Sequence, residues 1–207
     1  LAEQRDGYAL VTEHWRAAAS RELMMRRYLS ERERNEFEAL DMRRRRGWLL
    51  GRIAIKDAVR QHLWARGRGP MFPVEIGVAN APTGRAIVTG ADLRVSVSHK
   101  DDLAVAIVGD NDVGIDIERI EARPDSFTAI AFTPAELALG DGSDAWTTRL
   151  WAAKEAVGKL RGTGLDNPRA VEVRAVADDC LIIEDIVVDT RRDGDYIVAW
   201  TTGRMLS

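Results

Sequence analysis

One cysteine, Cys180, is all the thiol that 207 residues hold, so this chain can build neither an intramolecular disulfide nor a cysteine metal site. The expected setting is reducing and cytoplasmic. An excess of positive charge is also lacking. With 30 Lys and Arg against 33 Asp and Glu the net charge is -3, so the surface as a whole does not advertise nucleic acid or anionic membrane as a partner. A nucleic-acid reading would rest on the arginine run 43–46 alone. No apolar run approaches the roughly 18–20 residues of a membrane span. Ala17–Ala19 are flanked by charges and make no signal peptide. The first residue is Leu rather than Met, which raises the expectation of a piece cut from a longer polypeptide.

What is present suits a globular protein: 45% hydrophobic and 30% charged residues, over a length sufficient for one large domain or two small ones. "LSERERNEFEAL" opens a helix, with Ser30 as cap and Glu33 reaching back, and apolar residues recur at helical spacing through Leu49, Ile53 and Val59. Gly67, Gly69 and Pro70 end it. Strand-like runs follow: "FPVEIGVA", "RAIV", "LRVSVSH", "LAVAIVG" and "VGIDIERI". A second helical block begins at "FTPAEL", where Thr133 caps, Pro134 sits at the first helical position and Glu136 completes the box. The next helix is expected over 144–161. Strands return at 171–177, 180–188 and 195–201, with "RRDGD" as a hairpin turn. Helix followed by strands thus occurs twice. The expected class is α+β, in two similar lobes, residues 1–110 and 111–207.

Four features carry chemistry. In "NDVGIDIERI", Asp116 and Glu118 share one face of a strand while Ile115 and Ile117 take the other, toward a core. Two carboxylates so placed read either as a solvated acidic face or as a pair waiting for a hard divalent cation. In "WAAKEAVGK", Trp146, Leu150, Ala153, Val157 and Leu160 form a core stripe, and Trp151, Glu155 and Lys159 form a second stripe on roughly the opposite side. That side reads either as a surface Glu155–Lys159 pair or as a cleft wall lined by one acid and one lysine. In "SVSHKDD", His99 ends a strand beside Ser96 and Ser98, either as a structural histidine or as a ligand. In "MRRRRGWLLGRIAIK", four successive arginines spread around a helix and cannot all meet one ligand. Arg46 and Arg52, with Lys56, are phosphate-clamp candidates, as is Arg85 in "PTGRA".

Taken in this order, the four features resemble the Sfp-type phosphopantetheinyl transferases over about residues 30–167. "VGIDIE" and "WAAKEAVGK" match the family's (V/I)G(V/I)D-x-E and (F/W)-x-x-KE-(A/S)-x-x-K patterns; "SVSH" resembles its S-H element and "GRxxxK" its arginine-bearing helix. The family's G-K-P stands here as Gly84-Arg85-Ala86, and Val95-Ser96 replaces a hydrophobic residue plus asparagine. The resemblance implies two lobes in a pseudo-twofold arrangement, monomeric as an isolated domain, with the active site in the cleft between them. It also implies the reaction: transfer of phosphopantetheine from coenzyme A to a serine of an acyl or peptidyl carrier protein, releasing adenosine 3',5'-bisphosphate. Asp116, Glu118 and Glu155 would hold Mg²⁺, with Glu155 also a candidate base for the serine. Lys159, Ser98 and His99 would meet phosphate oxygens, and Arg46, Arg52 and Arg85 the 3'-phosphate end. A polyketide synthase that modifies its own carrier is one expected context. The alternative is a catalytically silent docking domain of a multidomain synthase.

Overall fold

The alternating apolar runs on either side of residue 110 belong to different bodies in the computed structural model, which describes residues 2–15 and 17–206; Leu1, with the reading placed on it, lies outside them. The chain forms two compact units, residues 1–110 and 111–207. Among the described residues no helix is long and apolar enough to cross a membrane.

The first unit runs β1 (Glu3–Arg5), β2 (Tyr8–Thr12), α1 (Ala18–Tyr28), α2 (Glu31–Ala39), α3 (Met42–Trp64), β3 (Gly77–Asn80), β4 (Ala86–Thr89), β5 (Arg94–Lys100) and β6 (Leu103–Gly109). An antiparallel sheet in the order β1-β2-β6-β5 is accompanied by the β3-β4 hairpin. Leu50, Ile53 and Ala54 of α3 join Val95, Ala104 and Ala106 of the sheet in one buried cluster. The single helical region expected from Ser30 onward is two helices. Asp41 interrupts it, its carboxylate accepting from the backbone N–H groups of Arg43 and Arg44 as the cap of α3. The strand expected over 72–79 starts only at Gly77, because Pro73 opens a 3₁₀ turn there. The first 29 residues, given no element beforehand, supply two strands and α1.

The second unit runs β7 (Gly114–Arg119), α4 (Asp125–Ala131), α5 (Pro134–Ala138), α6 (Asp144–Arg161), β8 (Val173–Ala177), β9 (Cys180–Ile183), β10 (Ile186–Asp193) and β11 (Tyr196–Thr201). The sheet order is β7-β11-β10-β9-β8, antiparallel throughout. Helix α6 has the expected bounds: Ser143 accepts from the Trp146 N–H at its start, and Gly162, at φ 71°, ends it. The strand expected over 180–188 is a hairpin instead, its turn at Glu184-Asp185 with Glu184 at φ 56°. Helix α4 was not foreseen. The α+β class stands.

One device holds a helix in both units. Ser30 and Glu33 form a capping box on α2, and Thr133 and Glu136 form one on α5. A fully buried lysine completes each. Lys56 Nζ on α3 donates to Glu33 Oε2 at 2.6 Å and to the Tyr28 carbonyl at 2.6 Å. Lys154 Nζ on α6 lies 2.7 Å from Glu136 Oε1 and donates to the carbonyls of Ala131 and Pro168 at 2.9 and 2.8 Å. In each case a carbonyl two residues before the cap takes the lysine. Burial pushes both lysines below the usual range, and the paired glutamate opposes that shift.

Candidate active site

Strand β7 crosses α6 at Gly114, where a Cβ would stand 1.9 Å from the Ala156 carbonyl oxygen. Two and four residues on, Asp116 and Glu118 occupy the same face of the strand. Their register partners on β11, Ala199 and Ile197, belong to the core cluster that α6 completes. The acids therefore face the helix. Ile115 and Ile117, expected to enter the core beneath the strand, are buried on its other face and are not part of that cluster.

On α6 the expected stripes separate as read. Trp146, Leu150, Ala153, Val157 and Leu160 are buried in the core cluster, while Trp151, Glu155 and Lys159 are partly exposed. Lys159 does not pair with Glu155 on its own helix; its Nζ reaches Asp116 Oδ1 at 2.7 Å. Burial raises the pKa of Glu155, and the charges of Asp116 and Glu118 raise it further, with Lys159 acting in the opposite sense. Asp116, Glu118, Glu155 and Lys159 thus share one electrostatic neighbourhood. Among the described residues no group of three or more His, Cys, Asp or Glu stands in a ready-made metal cage. The donor chemistry nevertheless fits a hard divalent cation: the acids offer oxygen ligands only, and their like charges oppose one another across a partly buried site.

Arg123 was missed by sequence reasoning. It sits in the irregular segment 120–124 after β7, and its Nη2 lies 3.3 Å from Glu118 Oε2. Its guanidinium covers the Phe127 ring at 4.9 Å and approaches Trp151 at 6.0 Å. Phe127 and Trp151 meet edge to face at 4.8 Å. The only advance signal was an arginine before a proline a few residues past the acidic pair.

In the first unit Arg46 and His99 come together. With Arg43, Arg44, Gly47, Trp48 and Asp101 they line a cavity of 470 Å³. Gly47 makes room for the histidine: a Cβ there would lie 2.6 Å from His99 Cε1. Arg46 Nε also donates to Glu13 Oε2 at 2.5 Å. Ser98 is half-buried on β5 with its neighbour exposed, and Arg85 is half-buried where the turn between β3 and β4 ends. Two of the expected clamp residues are otherwise engaged. Arg52 is 4% exposed, donates to Asn80 Oδ1 at 3.0 Å and lies over Trp48 at 4.6 Å. Lys56 is the buried partner of Glu33. Both sit on the side of α3 that is packed, which a helical arginine-to-lysine spacing alone could not tell from the open side.

Residues 112–201 match the family model for the 4'-phosphopantetheinyl transferase superfamily, which includes the whole of β7, α6 and their acids. A solved holo-(acyl-carrier-protein) synthase from Bacillus anthracis str. Ames, in complex with CoA (3',5'-ADP), is 30% identical. That match covers 49% of this chain and 90% of the synthase, with a TM-score of 0.42. Residues 112–201 belong to the 4'-phosphopantetheinyl transferase superfamily. No curated protein matches the chain. Phosphoryl transfer calls for groups that neutralise phosphate charge and an aligned nucleophile, and the second unit carries three acids and a lysine together on β7 and α6.

Proposed function

We propose that this enzyme transfers 4'-phosphopantetheine from coenzyme A to a serine hydroxyl of an acyl or peptidyl carrier protein, in a magnesium-dependent reaction. The observation that carries this reading is the grouping of Asp116, Glu118 and Glu155 with Lys159, in which the proton affinity of Glu155 is raised by burial and by the other two acids. Asp116, Glu118 and Glu155 are the residues that would hold Mg²⁺, and the bound ion would neutralise charge on the diphosphate of coenzyme A.

The serine oxygen attacks the phosphorus that bears the pantetheine arm. The bond from that phosphorus to the bridging oxygen breaks, and adenosine 3',5'-bisphosphate leaves with the bonding pair. The hydroxyl proton goes to Glu155, directly or through one water; burial and like charges make this carboxylate a better proton acceptor than an exposed one. Lys159 holds Asp116 and can turn to a phosphate oxygen. Arg46, Ser98 and His99 in the first unit are assigned to phosphate contacts, and Arg85 to the same class of ligand.

The deciding experiment incubates the protein with coenzyme A, Mg²⁺ and several apo carrier proteins, read by intact mass. A carrier heavier by one phosphopantetheine, with one adenosine 3',5'-bisphosphate released per carrier, is the expected result. Wild-type protein that modifies none of them would falsify the proposal and favour a silent docking role.

A further inference from the structure

The placement of Arg123 has no part in the transfer as described above. Its side chain is 13% exposed and that of Glu118 16%, so this ion pair is mostly out of solvent. Yet the pair is loose. At 3.3 Å it is longer than the 2.7–2.9 Å of a well-made charge-assisted hydrogen bond. Among the described residues, the buried Nε hydrogen of Arg123 has no acceptor. A guanidinium that is mostly buried with a donor left over is poised for a second anion. Its guanidinium lies 4.9 Å from the centre of the Phe127 ring and 6.0 Å from that of Trp151, while its backbone lies in an irregular five-residue segment that ends at Pro124. The head can therefore turn without unmaking a helix or a strand.

Glu118 has a second claimant if the reading under the proposed function holds, and the present inference rests on that reading. We propose that Arg123 is a latch on Glu118: it holds the carboxylate while the site is metal-free, and passes to a phosphate oxygen of the ligand when a divalent cation takes Glu118. Lys159 likewise holds Asp116, in a closer pair of 2.7 Å. Two of the three carboxylates are thus held by cations that a diphosphate can draw off. Cation and diphosphate then bind as a pair, each removing the obstacle to the other, and Mg²⁺ alone binds weakly.

The test is calorimetric titration of Mg²⁺ alone into wild-type protein and into Arg123→Met, which keeps apolar contact with Phe127 and Trp151 and removes the charge. The variant should bind Mg²⁺ about tenfold more tightly without ligand, the scale of one partly buried ion pair. It should also show less tightening when inorganic pyrophosphate is added. Arg119→Met, which removes an exposed charge from the same strand, controls for long-range charge and should move the affinity less than about twofold. Unchanged or weaker Mg²⁺ binding by Arg123→Met, or an equal shift in both variants, overturns the latch. Should Arg123→Met not fold, Arg123→Lys keeps the charge but not the stacked fork, and a smaller gain in Mg²⁺ affinity is expected; wild-type affinity there overturns the proposal too. No modification of any carrier, with the Mg²⁺ shift intact, sinks the transfer reading and leaves the latch standing. Transfer with no Mg²⁺ shift does the reverse.

Discussion

Gly114 of β7 meets the carbonyl oxygen of Ala156 on α6 with no space for a side chain, since a Cβ would stand 1.9 Å from that oxygen and 2.8 Å from the Leu160 nitrogen. Both obstacles are backbone, so neither can turn aside. The contact sets how closely strand and helix run, and the next residues on that face are Asp116 and Glu118. Gly114→Ala should push β7 off the helix, destabilising the protein by about 1–3 kcal/mol, the range for overpacking a filled core. Phosphopantetheine transfer should fall at least tenfold at temperatures where the variant is folded. Denaturant unfolding and the transfer rate check the two parts, and a variant as stable and as active as wild type would show that the crossing can relax freely.

Gly47 poses the opposite case. The atoms a Cβ would strike, 2.6–2.9 Å away, belong to the end of the His99 side chain. A ring can swing where a backbone cannot, so Gly47→Ala should leave the unfolding midpoint nearly unchanged. It should instead displace His99 from the cavity it shares with Arg46, raising KM for coenzyme A several-fold with little change in kcat. A loss of stability with unaltered KM would mean that His99 only fills space.

Glu155 links function to a stability deficit. Its folded pKa is raised above the ordinary 4.5 by burial and by Asp116 and Glu118. The folded state then binds the proton more tightly than the unfolded state, so stability is lost as pH rises from that ordinary value through the raised one. Glu155→Gln removes the deficit. It should match wild-type stability below about pH 4, where both states are protonated, and exceed it at neutral pH, while transfer drops by orders of magnitude. Thermal unfolding at the two pH values, without added metal, reads the first part. Equal stability at both would mean the carboxylate meets no net repulsion.

Much of this could be read from the chain alone where a local rule decides. The boxes Ser30–Glu33 and Thr133–Glu136 formed as their spacing required, α6 kept its limits, and alternation in β7 put both acids on one face. The failures share a cause: a boundary or partner set by tertiary contact. Asp41 was hidden as a cap by the charged run around it, and the Glu184-Asp185 turn by the apolar residues on both sides. Helix α1 has no side-chain cap and little amphipathic pattern to announce it. Alternation could say that Asp116 and Glu118 lie together, but not that their face was the one α6 covers. The pairing of Arg123 with Glu118 depends on how an irregular segment returns over Phe127, which no periodicity encodes.

Lys154 immediately precedes Glu155, yet it points into the protein and reaches three oxygens, of Ala131, Glu136 and Pro168. Glu136 in turn accepts from the N–H groups of Thr133 and Val173. One buried pair therefore ties α6 to the start of α5, to the turn at Pro168 and to the segment entering β8. Removing the lysine alone strands a buried carboxylate and two carbonyls, so Lys154→Met should destabilise by about 3–5 kcal/mol, as broken buried pairs do. Adding Glu136→Gln removes the uncompensated charge while keeping a carbonyl oxygen for one of the two N–H groups. The double variant should therefore be more stable than Lys154→Met, with a coupling that denaturant unfolding can measure as a double-mutant cycle. Lys56→Met, which breaks the same device in the first unit, should produce a loss of similar size. Should Lys154→Met instead prove fully stable but unable to transfer phosphopantetheine, the lysine would belong to the chemistry rather than to the frame that aims Glu155.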